Sequence, residues 1–139
     1  MILEARHRYI GAYVLGYSAE MFLKCSVFRH RGMKSEGTIR DCFSDIERYH
    51  KRNVIGEIPP HENFHSLRYW THLLLAIRTR DDRMLAKSSE AQLLYHSDSI
   101  YANWWVEMRY KSRMIKGSDA NQLKQSVEKV SNHYDKLWR

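Results

Sequence analysis

The sequence predicts an all-α fold, a single antiparallel bundle of about five helices that spans residues 1–139. Apolar residues recur at three- and four-residue spacing along most of the chain, which is the period of a helix with one buried face. The 6 Gly and 2 Pro are too few for an all-β domain, which needs a turn about every 8 to 12 residues. A chain of this length buries roughly two-thirds of its unfolded surface, so we expect one domain whose stability needs no metal or disulfide.

The first predicted helix runs from Leu3 to about Arg31, and Gly32 ends it. It carries several small residues, which lower helix propensity by roughly 1 kcal/mol for each Gly. A close approach by another helix is the expected compensation, so this helix is predicted to be central. The small residues are Gly11, Ala12, Gly16 and Ala19.

Two further helices follow on either side of a linker. An apolar stripe that includes Ile39 and Tyr49 predicts a second, amphipathic helix. The segment from Arg52 to Pro60 contains Gly56 and a Pro pair, which cannot continue a helix. The spacing from Phe64 to about Arg80 then predicts a third helix.

The last part of the sequence predicts a fourth and a fifth helix. Ser88 or Ser89 is the expected cap of a long fourth helix that runs to Lys116, where Gly117 stops it. Ser118 is the expected cap of the fifth helix, whose apolar residues repeat every three or four positions to the end of the sequence.

The charge balance favours partners that bear phosphate. The chain has 23 basic and 16 acidic residues, a net charge of +7 and a pI of about 9.5. Arginine matches phosphate oxygens in two-point contacts, although a solvated basic surface explains the same charge. The longest stretch without charge, Tyr9 to Ala19, is shorter than the roughly 20 residues of a membrane-spanning helix. With Cys25 and Cys42 expected to be reduced thiols, we predict a cytoplasmic protein that needs no cofactor and does not bind a membrane.

A local motif suggests an alternative, enzymatic function. His61, Glu62 and His65 fit the H-E-x-x-H pattern of zinc metallopeptidases. On a helix, two His four residues apart lie on one face and reach one Zn²⁺, while the Glu polarises the metal-bound water. Pro59 and Pro60 place His61 outside the helix or in its first turn, which favours surface or capping roles for these residues.

An aromatic and basic cluster allows two interpretations. Aromatic side chains near Trp104 alternate with Arg109 and Arg113, a mixture that stacks bases and holds phosphates. The same spacing is typical of a buried helix face. Both interpretations stay open from the residues alone.

Several separated segments together resemble the HEPN domain family. Gly16, Ala19, Glu20, Leu23 and Lys24 resemble the G-x-A-x-E-x-x-L-K helix of that family, with Tyr17 and Ser18 between the Gly and the Ala. Later in the chain, His65–Leu67 resembles its H-D-L segment, with Ser66 in place of the acid, and Arg109–Tyr110 resembles its R-Y pair. With the final amphipathic helix, the resemblance covers roughly residues 8 to 138.

The resemblance implies a small helical bundle that forms a homodimer and works with nucleotidyltransferases, in toxin and antitoxin pairs or in defence systems. Many members are ribonucleases whose active site contains an Arg and, after four to six intervening residues of which the first is polar, a His. Here the corresponding positions after Arg109 are Met114, Ile115 and Lys116, so the ribonuclease motif is absent. We therefore expect a non-catalytic module that binds a nucleotide or RNA, or docks a protein partner such as a nucleotidyltransferase.

The candidate ligand-binding residues combine the resemblance with the chemistry of the residues. Glu20 and Lys24 are four residues apart, which most often gives a few tenths of a kcal/mol of helix support. On a central helix the same pair is expected to be partly buried and to face Arg109 across the bundle. The hypothesis is a polar pocket for a nucleotide or RNA phosphate, lined by Glu20, Lys24, His65, Arg109, Tyr110 and Arg113.

Overall fold

A computed structural model describes residues 2–33, 36–52, 64–104 and 115–138 of the chain. The described residues form six helices, five of them substantial, and no strand, which confirms the prediction of an all-α helical bundle. The helices are α1 (Ile2–His30), α2 (Ile39–Arg52), α3 (Leu67–Arg80), α4 (Lys87–Asn103), α5 (Gly117–Ser131) and α6 (Tyr134–Trp138).

Four of these helices form a closed bundle around one core. Helix α1 packs against α3 and α5, and α4 packs against the same two helices, so the order around the bundle is α1, α3, α4, α5. The short helix α6 lies against α1. The first helix, predicted to be central, is thus one of the four members of the bundle, and it also contacts α6. The largest fully buried side chains of the core include Trp70, Trp104, Tyr69, Leu23, Ile46 and Leu67.

Helix α1 ends at a glycine, as the sequence predicts. Gly32 has a φ of +70°, and its N–H donates to the carbonyl of Arg29 at 2.9 Å. The N–H of Met33 donates to the carbonyl of Phe28 at 3.0 Å. This pair of bonds is the Schellman motif, which needs a left-handed residue and therefore favours Gly at this position.

The small residues of α1 include one that another side chain approaches closely. Trp104 packs at Gly16, and its indole N–H donates to the carbonyl of Tyr13 at 3.1 Å. The approaching group is thus the ring of the residue that follows α4, rather than the backbone of a neighbouring helix. At Gly11, no side chain or other helix among the described residues comes within 4 Å of the position that a Cβ would take, so the described part of the chain shows no packing that compensates its low helix propensity.

Helix α2 is joined to the bundle through its side chains. It has few close backbone approaches to the other described helices. A capping box begins it: the N–H of Asp41 donates to Thr38 Oγ1 at 3.2 Å, and the Asp41 carboxylate accepts from the N–H of Thr38 at 3.2 Å. Ile46 and Tyr49 are buried, but Ile39 is 71% exposed, so the predicted apolar stripe is wrong at its first residue. That residue is the first of the helix and extends past the core.

The sequence overestimates the length of the fourth helix. Helix α4 ends at Asn103, because Trp104 is extended with φ −137° and ψ 138°, and Ile115 and Lys116 are not helical. Its N-cap is Ala86, which makes no side-chain hydrogen bond, so Ser88 and Ser89 are not caps. The two Ser instead lie in the first turn of the helix, where Ser89 is buried. Residues 105–114 of the predicted helix lie outside the described residues.

Gly117 begins a helix instead of stopping one. Lys116 is the extended N-cap residue of α5, so Gly117 and Ser118 are its first two helical residues and Ser118 is not the cap. The predicted single last helix is also divided, since α5 ends at Ser131 and α6 begins at Tyr134. Between them the N–H of His133 donates to the carbonyl of Val130 at 3.1 Å, a tighter turn than that of an α-helix.

Within the described ranges, no helix combines the length and the apolar character that crossing a membrane requires.

Candidate functional site

A buried carboxylate on α1 organises the candidate site. Glu20 lies on α1 among core residues and is fully buried. Lys24 follows one turn later, 5% exposed, and its ammonium donates to Glu20 Oε1. A charged pair in the core requires such a direct contact, because each ion alone would lose several kcal/mol of hydration. The sequence predicts partial burial of this pair, and the structure buries both side chains.

His65 reaches the same carboxylate from the turn before α3. Its Nδ1 lies 3.0 Å from Glu20 Oε1 and 3.3 Å from Oε2. Local contacts hold this turn: Ser66 is the N-cap of α3 and accepts from the N–H of Tyr69, and Trp70 Nε1 donates to the carbonyl of Phe64 at 2.9 Å. The H-S-L segment is thus a capped helix start that presents His65 to α1.

Aromatic rings enclose the ammonium of Lys24. Its Nζ lies 5.4 Å from the ring centres of both Phe43 and Trp70, within the range of a cation–π interaction. Phe43 also makes edge-to-face contacts with Phe28, Phe64 and Trp70. Phe43 lies on α2, so this helix covers the buried pair from outside the four-helix bundle.

The geometry gives the three polar residues different roles. Glu20 and Lys24 neutralise each other and are shielded from water, so neither presents its charge to a ligand. The His65 side chain is 43% exposed. When its Nδ1 carries a proton and donates to Glu20, its Nε2 accepts a hydrogen bond in the neutral ring and donates one in the protonated ring. His65 is therefore the most exposed of the three, and Glu20 is the residue that orients its ring.

The structure brings together three of the six predicted ligand-binding residues. Glu20, Lys24 and His65 meet, although the first and last are 45 positions apart. The other three, Arg109, Tyr110 and Arg113, lie outside the described residues.

The second histidine of the H-E-x-x-H motif, His65, does not lie on a helix. His65 precedes the N-cap of α3, and its Nδ1 faces Glu20. His61 and Glu62 lie outside the described residues. In the part of the chain that the structure describes, no three or more His, Cys, Asp or Glu side chains are grouped so that they could hold a metal ion.

Phe43 and Trp70 belong to the site but are not among the residues that the sequence predicts for it. Both lie on helices with an apolar period, and their spacing gives no sign of the Lys24 contact. The sequence feature from which aromatic neighbours could be predicted is Lys24 itself, because an ammonium on a buried helix face needs aromatic or carboxylate neighbours.

Comparison with known proteins found no match: no protein-family model fits the chain, and neither the curated proteins nor the solved structures contain a similar one.

Proposed function

We propose that this chain is a HEPN-like module that binds RNA or nucleotide phosphate without cleaving it. The observation that supports the proposal is the contact of Glu20 with both Lys24 and His65, three residues that the sequence hypothesis assigns to one pocket and that lie in segments resembling HEPN motifs. The net charge of +7 favours association with a polyanion. The absence of the Arg-x4-6-His pattern from the sequence is the reason for proposing binding rather than cleavage.

In this proposal His65 contacts the ligand. When both ring nitrogens of His65 carry protons, Nδ1 donates to Glu20 and Nε2 donates to a phosphate oxygen, so Glu20 fixes the orientation of the ring that binds the anion. Lys24 acts indirectly, because it offsets the charge of Glu20 and holds the carboxylate in place. Arg109 and Arg113 supply further phosphate contacts in the proposal.

Fluorescence anisotropy of a labelled single-stranded RNA, titrated with the protein at two salt concentrations, tests this function. We expect saturable binding that weakens as salt rises, because each phosphate contact releases counterions. Substitution His65→Ala should weaken binding by about tenfold, the value of one charge-assisted hydrogen bond. His7→Ala, which removes an exposed His elsewhere on α1, is the matched control and should bind as the wild type does.

Two results would contradict the proposal. One is the absence of binding at low salt, which would make the basic charge incidental. The other is equal binding by wild type, His65→Ala and Arg109→Ala, which would remove the proposed site. The integrity of the RNA after incubation, read on a gel, checks the non-catalytic part of the proposal.

We also propose that the chain forms a homodimer, as the resemblance implies, and that α1 forms its interface. Four large apolar side chains on this helix, spaced four, three and four residues apart, are between 36% and 57% exposed. This spacing is that of a seam between paired helices. The four residues are Ile10, Val14, Tyr17 and Met21. A nucleotidyltransferase partner stays a prediction, which co-purification would test.

A further inference from the structure

A second polar cavity lies where the C-terminal ends of α1, α2 and α3 meet. It encloses about 520 Å³ and shares no lining residue with the cluster around Glu20. Four guanidinium side chains from three parts of the chain line it, and we call it the arginine pocket. They belong to Arg31, which follows α1, to Arg48 and Arg52 of α2, and to Arg80 of α3.

Two of these arginines are held in place around one aromatic ring. Arg31 Nε donates to Asp45 Oδ2 at 2.9 Å, and its Nη2 donates to Asp45 Oδ1 at 3.3 Å. The Arg31 guanidinium lies 4.3 Å from the ring centre of Tyr49, and that of Arg80 lies 5.8 Å from the same centre. Tyr49 is itself buried. The pocket therefore has a preorganised floor rather than a set of independent surface side chains.

Among the described residues that line the pocket, positive charge is in excess. Four arginines face two carboxylates, Asp45 and Asp81, a formal charge of +2 for this part of the lining. Helix C-termini attract basic residues, which explains why Arg31 and Arg80 lie where they do. It does not explain why four arginines converge on one cavity, an arrangement that an anion bound among them would stabilise.

We propose that the arginine pocket binds the phosphate group of a phosphomonoester the size of a mononucleotide. A phosphomonoester carries a charge of about −1.5 to −2 at pH 7, which matches the pocket better than the single charge of a phosphodiester. Guanidinium groups bind phosphate oxygens in two-point contacts. The cavity is within the size range of small-ligand sites, so it holds a phosphate and the group attached to it.

Isothermal titration calorimetry at low salt, with 5′-AMP, adenosine and inorganic phosphate as separate probes, tests the proposal. AMP should bind and adenosine should not. If inorganic phosphate binds as tightly as AMP, the phosphate group supplies all the affinity. If AMP binds more tightly, the nucleoside occupies the rest of the cavity. Both results support the pocket and distinguish its ligands.

Variants locate the binding. The double substitution Arg48→Ala and Arg52→Ala should weaken AMP binding by more than tenfold, since it removes two charged partners. Both residues are exposed, so the variant should fold, which its thermal unfolding checks. Arg40→Ala, an exposed arginine of α2 outside the pocket, is the matched control and should bind AMP normally.

The proposal is overturned if AMP does not bind, if adenosine binds equally well, or if Arg40→Ala weakens AMP binding as much as the pocket variant does. His65→Ala should leave AMP binding at the arginine pocket unchanged. The failure of this inference is therefore distinguishable from the failure of the RNA site at His65.

Discussion

Trp104 packs its indole directly against the backbone of α1 at Gly16. A Cβ atom on Gly16 would lie 2.1 Å from Cγ of Trp104, and two further ring atoms would lie within 2.4 Å. The indole is fully buried, and its N–H is bonded to the carbonyl of Tyr13. The ring therefore cannot move away without losing both its packing and its hydrogen bond.

We expect Gly16→Ala to destabilise the protein strongly. The added methyl group overlaps a buried ring, and overpacking of this kind costs about 3 kcal/mol. Chemical denaturation followed by far-UV circular dichroism measures the loss in the free energy of unfolding.

Gly11→Ala is the matched control in the same helix, and its effect should have the opposite sign. No side chain or other helix in the described part of the chain lies within 4 Å of the new Cβ, so the gain in helix propensity should stabilise the protein by about 0.5 to 1 kcal/mol. Equal effects of the two substitutions would show that the indole does not pack on Gly16.

Removing the buried carboxylate should destabilise the core. Glu20→Gln leaves the ammonium of Lys24 buried without its counterion, which costs about 3 to 5 kcal/mol. Denaturant unfolding again gives the free energy. The Gln oxygen still accepts from His65, so the effect is assigned to the charge.

A double variant separates the buried charge from loss of packing. Adding Lys24→Met to Glu20→Gln removes the unpaired ammonium while filling its volume, and should recover most of the lost stability. If the double variant is as unstable as the sum of the two single variants, the pair does not interact in the core.

Acidification from pH 7.5 to 5.5 should lower the melting temperature. Burial lowers the pKa of His30, His72 and His96 below the ordinary value of 6.5. Below pH 6.5 the unfolded chain therefore binds more protons than the folded one, so stability falls as pH falls.

His30 is the most informative of these histidines. Its Nε2 lies 2.9 Å from Nη1 of Arg78 and 2.7 Å from the carbonyl of Leu137. His30→Asn removes the titrating group, so the melting temperature of the variant should change less between pH 7.5 and 5.5. A wild-type protein that melts higher at pH 5.5 would contradict the prediction.

Val14→Glu should convert the proposed dimer into a monomer. The substitution places a charge in the middle of the exposed apolar seam of α1, and size-exclusion chromatography with light scattering measures the mass. Met84→Glu is the control, since Met84 is an equally exposed apolar residue outside α1. A wild-type monomer would refute the dimer itself.

The period of the apolar residues predicted the helices well but several of their ends poorly. Four of the predicted helices, which correspond to α1, α2, α3 and α5, begin or end within a few residues of their predicted limits. Helix α4 ends early because Trp104 leaves the helix to pack on Gly16, and no local pattern signals that long-range contact. The prediction that Gly117 ends a helix is wrong because a Gly is compatible with either end of a helix. The extended backbone of Lys116 makes Gly117 the first residue of α5.

The sequence predicts the polar residues of the candidate site but not the aromatic side chains that surround them. The four-residue spacing of Glu20 and Lys24 indicates their contact, whereas the role of His65 came from the family resemblance. The aromatic cover from Phe43 depends on where α2 lies, which the sequence of α2 does not encode locally. The arginine pocket was missed for the same reason, since its residues are distant in sequence and each is ordinary for a helix end.

The attachment of α2 through side chains has a consequence for native-state fluctuations. Phe43 covers Lys24, and the Arg31–Asp45 ion pair ties the same helix to the end of α1. Detachment of α2 breaks these contacts together and hydrates the ammonium beneath. A single local opening therefore exposes both the amide protons in the middle of α2 and the ammonium of Lys24. Its free energy is smaller than that of global unfolding, and hydrogen exchange of the α2 amides measures it directly.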